Sequence, residues 1–484
     1  MSEELLINAT TPEVRVAIIE QGVVQEIFIE RSTRRGLVGN IYNGKVCRVL
    51  PGMQASFVDI GLDRAAFLHI SDINPSNVGA SNDQIQGLVK DDDVVIVQVV
   101  KDPLGTKGAR LTTNISISSR YLVFMPGMHG SSGVSQKIES EQERLRLRNV
   151  LTNFVVSTGS RGGFIARTAA EAVNEELLRG DMNFLIRLWA NILDSSQNQD
   201  IKLLHEDLPL PLRALRDLVG PETERIRIDS SLHFDKARSF IDTFIPELAP
   251  RLEHYVGERP LFDLYHVEDE IAKALQRKVQ LKSGGYLIVD QTEAMTTIDV
   301  NTGAFVGHRN LEETTFKTNL EAAQAICRQL RLRNLGGIII IDFIDMVDLE
   351  HKNQVIKVLE KCLSLDHAQT QVSKVSAMGL VEMTRKRTRE SLEHVLCEPC
   401  SCCLGRGFVK TPETTCYEIF REIQQEASQF DVESLLVLAS PEVIERLVDE
   451  ESSHLAELEE AIGKPIRLQA EALYTQEQFD VVLI

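Results

Sequence analysis

Two acidic stretches hold the residues best suited to chemistry. In GGIIIIDFIDM, Gly336 to Met346, a run of isoleucines ends in two aspartates three residues apart. An unpaired buried carboxylate is expensive, so acids at the end of so apolar an element need a counter-charge or water beside them. The isoleucine run reads as a strand buried on both faces. In TTIDVN, Thr296 to Asn301, strand alternation puts Thr297, Asp299 and Asn301 on one face. The same rule aligns Ile338, Ile340 and Asp342, whereas Asp345 has the opposite parity or lies in a loop. If one acid of that pair works with Asp299, parity favours Asp342. Two carboxylates from neighbouring strands, helped by an Asn amide, form an oxygen-rich site suited to Mg²⁺. An ion bound there polarises a phosphoryl oxygen and lowers the pKa of an attacking water. Caps, turns and salt bridges are the plainer use of the same residues, and composition alone does not decide between the two.

A second cluster, CEPCSCC at Cys397 to Cys403, carries overlapping Cys-x-x-Cys pairs, Cys397 with Cys400 and Cys400 with Cys403. Zn²⁺ takes four ligands, so one pair per chain implies a metal shared between two subunits. Cys397 and Cys402 leave open a site with three or four ligands from one chain, although closing it within seven residues is sterically poor. The other four cysteines, Cys47, Cys327, Cys362 and Cys416, are scattered. One thiolate site in a reducing cytoplasm fits this usage better than a disulfide framework.

The elements that must position these residues follow from periodicity. A β-hairpin covers 14–30, and a second covers 286–301. Between 36 and 118, about five short strands separated by Gly, Pro and Asp turns suggest a small barrel, an oligonucleotide-binding barrel being one option. Residues 140–155, 170–195 and 262–281 read as helical, the last by its apolar spacing. A helix over about 319–334 stops at Gly336–Gly337, and the isoleucine strand follows, giving a strand–helix–strand order. Residues 412–484 read as a small α/β unit. No apolar run reaches membrane-spanning length, and the start, MSEELLINAT, lacks the pattern of a secretory signal.

The 484 residues carry a net charge of −19, with 43% hydrophobic and 25% charged residues, as in ordinary globular proteins. That charge is uneven: residues 421–484 hold 4 basic and 15 acidic residues, −11 in all, leaving −8 for the first 420. Three basic clusters, at 31–35, 328–333 and 384–389, keep a polyanion partner open, while solvated helix faces explain any one of them as well.

Longer blocks carry a resemblance. NIYNGKVCRVLPGMQASFVDIG (40–61), DPLGTKGARLTTNIS (102–116), KSGGYLIVDQTEAMTTIDVNTG (282–303), RQLRLRNLGGIIIIDFIDM (328–346) and GLVEMTRKRTRES (379–391) make the chain similar to the ribonuclease E/G family of bacterial endoribonucleases. The likeness runs from about residue 4 to the C-terminus. It implies a multidomain α+β and α/β fold. A ribonuclease-H-like domain (1–35 and 211–281) would be interrupted by an S1 barrel (36–118) and a 5′ sensor (119–210). A deoxyribonuclease-I-like catalytic domain (282–395), a zinc link (396–410) and a small C-terminal domain (411–484) would follow.

The resemblance also implies roles. Asp299 and Asp342 would bind Mg²⁺, with Asn301 in support, for hydrolysis of single-stranded, A/U-rich RNA to 5′-phosphate and 3′-hydroxyl ends. Phe57 and Phe67 would stack on bases, and Lys107 would contact the RNA backbone. Arg167 and Thr168 would recognise a stimulating 5′-monophosphate, and Gln136 stands where the ribonuclease E type has an arginine. The zinc-link motif falls on Cys400 and Cys403, which favours Zn²⁺ shared in a homodimer or higher oligomer. The implied setting is cytoplasmic, with rRNA precursors (5′-end maturation) and mRNA (turnover) as substrates.

Overall fold

A computed structural model of the chain describes residues 2–33, 35–74, 84–103, 108–128, 132–159, 162–198, 200–303, 311–376, 378–387, 389–430 and 433–484. The chain divides into two compact units, residues 1–395 and 396–484. No helix among the described residues is long and apolar enough to cross a membrane.

The first unit begins with a mixed sheet ordered Leu252–His254, Thr223–Ile228, Glu3–Ala9, Glu13–Glu20, Val23–Arg31. Glu3–Ala9 runs parallel to Thr223–Ile228, so distant segments of the chain build one sheet around the insertion between them. The N-terminal hairpin appears as expected, turning at Gln21–Gly22, both at positive φ. Strand Glu3–Ala9, which turn signals did not mark, pairs along its whole length with that hairpin.

Within the insertion, Ile41–Leu50, Ala55–Asp59, Ala66–His69, Arg110–Thr112 and Val94–Lys101 pair in that order, and Val94–Lys101 returns to Ile41–Leu50. The result is a closed barrel. Gly44 is required there, because a Cβ would sit 2.6 Å from Val58 Cγ1 across the interior. A smaller sheet follows, Ser132–Val134, Gly163–Ala166, Leu122–Met125, Ile117–Ser118, packed on helices Glu141–Thr158 and Glu175–Ser196.

The expected helix over 262–281 is broken. Short helices Leu261–Leu264 and Val267–Ala274 flank His266 at φ +55°, and Lys278–Gln280 is an edge strand paired with Tyr286–Gln291. The Tyr265 hydroxyl bonds with Glu4 and Arg227 of the first sheet at 2.5 Å each, an anchoring that overrides the helical periodicity.

The last sheet of this unit runs Lys278–Gln280, Tyr286–Gln291, Met295–Asn301, Gly337–Asp342, Leu380–Arg385, Thr370–Val372. Helices Leu311–Leu332 and Leu349–Leu363 share one core with its inner side, through Ala323, Ile326, Leu330, Val355 and Leu359 against Ile298, Ile339 and Ile341. The isoleucine strand is therefore buried on one face, not two: Ile339 and Ile341 are fully buried, whereas Ile338 is 49% exposed. The run reads as doubly buried because all four residues are apolar, but Ile338 and Ile340 face a side of the sheet that no helix covers among the described residues.

The basic clusters are mostly internal ion pairs rather than solvated faces or open cationic patches. Arg331 pairs with Glu26 at 2.9 Å and Glu20 at 2.7 Å, and Arg328 pairs with Glu270 and donates to the Val24 carbonyl. Burial lowers the Arg333 guanidinium to about 10. The Arg389 guanidinium lies 3.5 Å from the centre of the Phe28 ring, Arg31 meets Glu13, and Arg35 meets Glu206. Arg385 is almost fully buried against Asp366, at 2.7 and 3.0 Å, and also donates to the Leu335 carbonyl at 2.9 Å. These pairs join the strand after the isoleucine strand to the helix in front of it.

In the second unit, Ile466–Ala470, Leu435–Ala439 and Phe479–Leu483 form a sheet packed on helices Pro412–Gln429, Pro441–Val448 and Ser452–Ile462. This is the α/β unit read for residues 412–484.

Removing one partner of a buried ion pair strands the other charge, at a cost of about 3–5 kcal/mol. Asp366→Asn is expected to destabilise the first unit by that amount in chemical denaturation, and a cost below about 1 kcal/mol would refute the role of the pair. Burial pushes the Asp366 carboxyl up, but Arg385 and the Ala368 N–H outweigh it and hold it below its ordinary value. Its contribution is therefore complete above the ordinary carboxylate range and is lost as pH falls through the lower, folded value.

Candidate active site and RNA interface

Met295–Asn301 and Gly337–Asp342 are parallel neighbours, and their register sets Asp299 directly beside Asp342. Both acids are exposed on the uncovered face, at the ends of strands whose alternate residues are core. The Asn301 side-chain amide donates to Asp299 Oδ2 at 2.8 Å, which fixes that carboxylate. Partial burial, then the Asp299 charge, then the Asp345 charge hold Asp342 above its ordinary carboxylate value. The site thus stores like-charge repulsion in the absence of a cation.

Asp345 lies in the loop after the strand, exposed, with Oδ1 facing the Gly379 turn. That loop is pinned at both ends by buried Phe343 and Met346. In its middle, Asn319 Nδ2 donates to the Ile344 carbonyl at 2.7 Å and Asn319 Oδ1 accepts from Ile344 N at 3.1 Å. Asn319 is fully buried and was not singled out from sequence; an amide on the apolar face of a helix was the signal available. Beyond Asn301, Gly303 sits at φ +61°, where a Cβ would lie 2.4 Å from the Gly284 carbonyl oxygen. Only glycine allows that close return of the chain.

The donor set fits Mg²⁺. Two adjacent carboxylates, one raised by its neighbours, are what a hard divalent cation neutralises, and Mg²⁺ commonly keeps water and substrate phosphate as its other ligands. No group of three or more His, Cys, Asp or Glu converges among the described residues, so the protein would supply two acids and no closed cage.

On the barrel, Phe57 and Phe67 are cross-strand partners with ring centroids 6.1 Å apart, and His69 stacks on Phe67 at 6.3 Å. Buried Ser56, Val58, Ala66 and Leu68 alternate with them, so the three rings share the outer face. Arg48 lies opposite Phe57 and Arg110 opposite Phe67, the latter paired with Asp72 at 2.8 Å. Aromatic rings between guanidinium groups have the chemistry that stacking on bases requires. His69 was not anticipated, and its two-residue spacing from Phe67 was the signal. Lys107 lies outside the described residues.

Arg167 and Thr168 end strand Gly163–Ala166 and are used differently. The Thr168 hydroxyl is exposed, 3.1 Å from Ser135 Oγ in the loop that carries exposed Gln136 and Lys137. The Arg167 guanidinium donates to the Ser119 carbonyl and to Asp217, each at 2.7 Å.

In the second unit, the N–H groups of Gly407 and Gly405 lie against the Cys403 sulfur, with the Cys400 thiol beside it. They hold the Cys403 thiol below its ordinary value, and both chain turns close locally, Leu404 N to the Cys400 carbonyl at 2.7 Å and Arg406 N to the Cys403 carbonyl at 2.9 Å. Thiolates stabilised by N–H groups suit Zn²⁺. Cys397 and Cys402 are exposed and form no group of three with this pair among the described residues.

Comparison with known proteins fits this geometry. A model of the ribonuclease E/G family matches residues 116–388, and one of the RNase E/G thioredoxin-like domain matches 399–483. The chain is 56% identical to ribonuclease G of Escherichia coli, covering 100% of both chains, and 54% identical to ribonuclease G of Haemophilus influenzae, covering 99% of both. It is 36% identical to ribonuclease E of Escherichia coli, covering 94% of this chain and 44% of that one. The chain belongs to the ribonuclease E/G family, and it is an endoribonuclease.

Proposed function

We propose that this endoribonuclease hydrolyses single-stranded, A/U-rich RNA at Asp299 and Asp342 with Mg²⁺, leaving 5′-phosphate and 3′-hydroxyl ends, and that a 5′-monophosphate on the substrate stimulates it. The observation that carries the reading is the register that sets Asp299 beside Asp342 on the open face of the sheet. Asp299 and Asp342 would hold Mg²⁺, which when bound supplies charge neutralisation at the phosphate and a more acidic water. Asn301 holds the Asp299 carboxylate by its amide, and the loop pinned by Asn319 keeps Asp345 close enough to add to the field at Asp342.

Substrate is held elsewhere on the same reading. Phe57, Phe67 and His69 stack on bases without selecting among them, and Lys107 contacts the backbone. The Arg167–Thr168 pair takes the 5′-phosphate, to which a guanidinium and a hydroxyl both donate. The cysteine pair Cys400 and Cys403 shares Zn²⁺ with the same pair of a second chain, which makes the working form a homodimer or a higher oligomer. The cellular setting is the cytoplasm, and the substrates are rRNA precursors, matured at the 5′ end, and mRNA in turnover.

Asp299→Asn and Asp342→Asn are each expected to lower cleavage by at least roughly a hundredfold while RNA binding persists. Intact processing by either variant would favour a non-catalytic RNA-binding scaffold that uses the barrel and zinc link only. Matched RNA and DNA oligonucleotides should be cleaved unequally, and equal rates would remove the RNA claim. Phe67→Ala should weaken RNA binding by about 1–3 kcal/mol whatever the base, as read by fluorescence anisotropy. Cys400→Ser with Cys403→Ser should release zinc and shift the mass toward monomer; an unchanged oligomer with full zinc content would exclude the shared site.

A further inference from the structure

The arginine proposed for the 5′-phosphate site is held by a chain of half-buried charges. Arg167 Nη1 donates to the Ser119 carbonyl and Nη2 to Asp217 Oδ1, each at 2.7 Å. The second oxygen of Asp217 takes Arg216 Nη2 at 2.8 Å, and Arg216 Nη1 continues to Asp207 Oδ1 at 2.8 Å. Arg120 braces the same turn by donating to the carbonyls of Arg216 and Val219 at 2.8 and 2.7 Å. The Asp207 N–H donates to Asn40 Oδ1 at 2.9 Å, which ties the chain to the start of the barrel.

Burial pushes the Asp217 carboxyl up, but Arg216 and then Arg167 outweigh it and hold Asp217 below its ordinary value, so it is ionised at neutral pH. Its charge is divided between two guanidinium groups, so it does not fully cancel Arg167. A guanidinium has five N–H donors, and the two bonds to Ser119 and Asp217 leave others for a ligand. The Arg167 side chain is still 27% exposed, so an anion can reach it. A terminal phosphate carries close to two charges at neutral pH and is the stronger partner for that remaining edge.

The geometry points to Asp217 as the positioning residue of the 5′-phosphate site: it holds the Arg167 guanidinium in its phosphate-binding orientation without touching the RNA. This rests on the sensor reading of Arg167 and Thr168. A flexible arginine would lose rotamer freedom on binding, and the Asp217 pair removes that loss beforehand.

The test is steady-state cleavage by the full-length protein of one RNA bearing either a 5′-monophosphate or a 5′-hydroxyl, with wild type, Asp217→Asn, Asp217→Glu and Arg167→Ala. Asp217→Asn is expected to raise KM for the 5′-monophosphorylated RNA by roughly tenfold, well beyond any change on the 5′-hydroxyl RNA and with a smaller change in kcat. Asp217→Glu, which keeps the charge, should recover most of that loss. A KM for the 5′-monophosphorylated RNA that is unchanged or lower in Asp217→Asn overturns the proposal, the latter outcome making Asp217 a competitor of the phosphate. Equal losses on both RNAs that Asp217→Glu does not rescue also overturn it, in favour of a purely structural pair. Should Asp217→Asn fail to fold, Asp217→Ser takes its place: a KM shift confined to the 5′-monophosphorylated RNA supports positioning, and none refutes it. If Arg167→Ala slows both RNAs equally, the sensor reading falls and the proposal with it. If Arg167→Ala discriminates and Asp217→Asn does not, only the positioning role falls.

Discussion

Two carboxylates held side by side repel, and much of the first unit serves to hold Asp299 and Asp342 together against that repulsion. Parallel pairing alone sets the register, but a strand end is free to fray. Here the strand after Gly337 is gripped on its inner face by Ile339 and Ile341, and the loop beyond it by Phe343, Met346 and the Asn319 amide. Arg385 then ties the neighbouring strand to Asp366, just after helix Leu349–Leu363, and to the Leu335 carbonyl ahead of the isoleucine strand. A cation between the acids reverses the sign of the interaction, so the arrangement that costs most without metal is the one that metal stabilises most.

The same economy explains how an acidic chain can meet RNA. Most described arginines of the three basic clusters are engaged with Glu13, Glu20, Glu26, Glu206, Glu270 or Asp366, or are buried on a ring. The pairs of Arg331 join the first sheet to helix Leu311–Leu332, and paired in this way the clusters contribute little to a long-range positive field. On the proposed reading, RNA contact falls to local features, the rings of Phe57, Phe67 and His69 and the guanidinium at Arg167. Stacking of this kind tolerates any base and depends less on salt than phosphate contacts do.

The side-by-side placement of Asp299 and Asp342 was legible in sequence because strand parity is a strictly local rule, and it separated Asp342 from Asp345 before any contact was known. The barrel, both hairpins and the strand–helix–strand order were legible for the same reason. What escaped depends on contacts between distant segments. The break at His266 follows from Tyr265 reaching Glu4, the single-faced burial of the isoleucine run from the placement of two helices, and the internal use of the basic clusters from acids up to 311 residues away. Asn319 and Asp217 belong to the same class: each looks ordinary in its own helix, and each matters through a partner far along the chain.

Thermal unfolding of wild type and Asp342→Asn across a range of Mg²⁺ concentrations tests the central claim most directly. Without Mg²⁺ the variant is expected to unfold at or above the wild-type temperature, because the repulsion is gone. As Mg²⁺ is added, wild type should gain stability and overtake it. A variant that is less stable throughout, with the same Mg²⁺ dependence as wild type, would contradict the account.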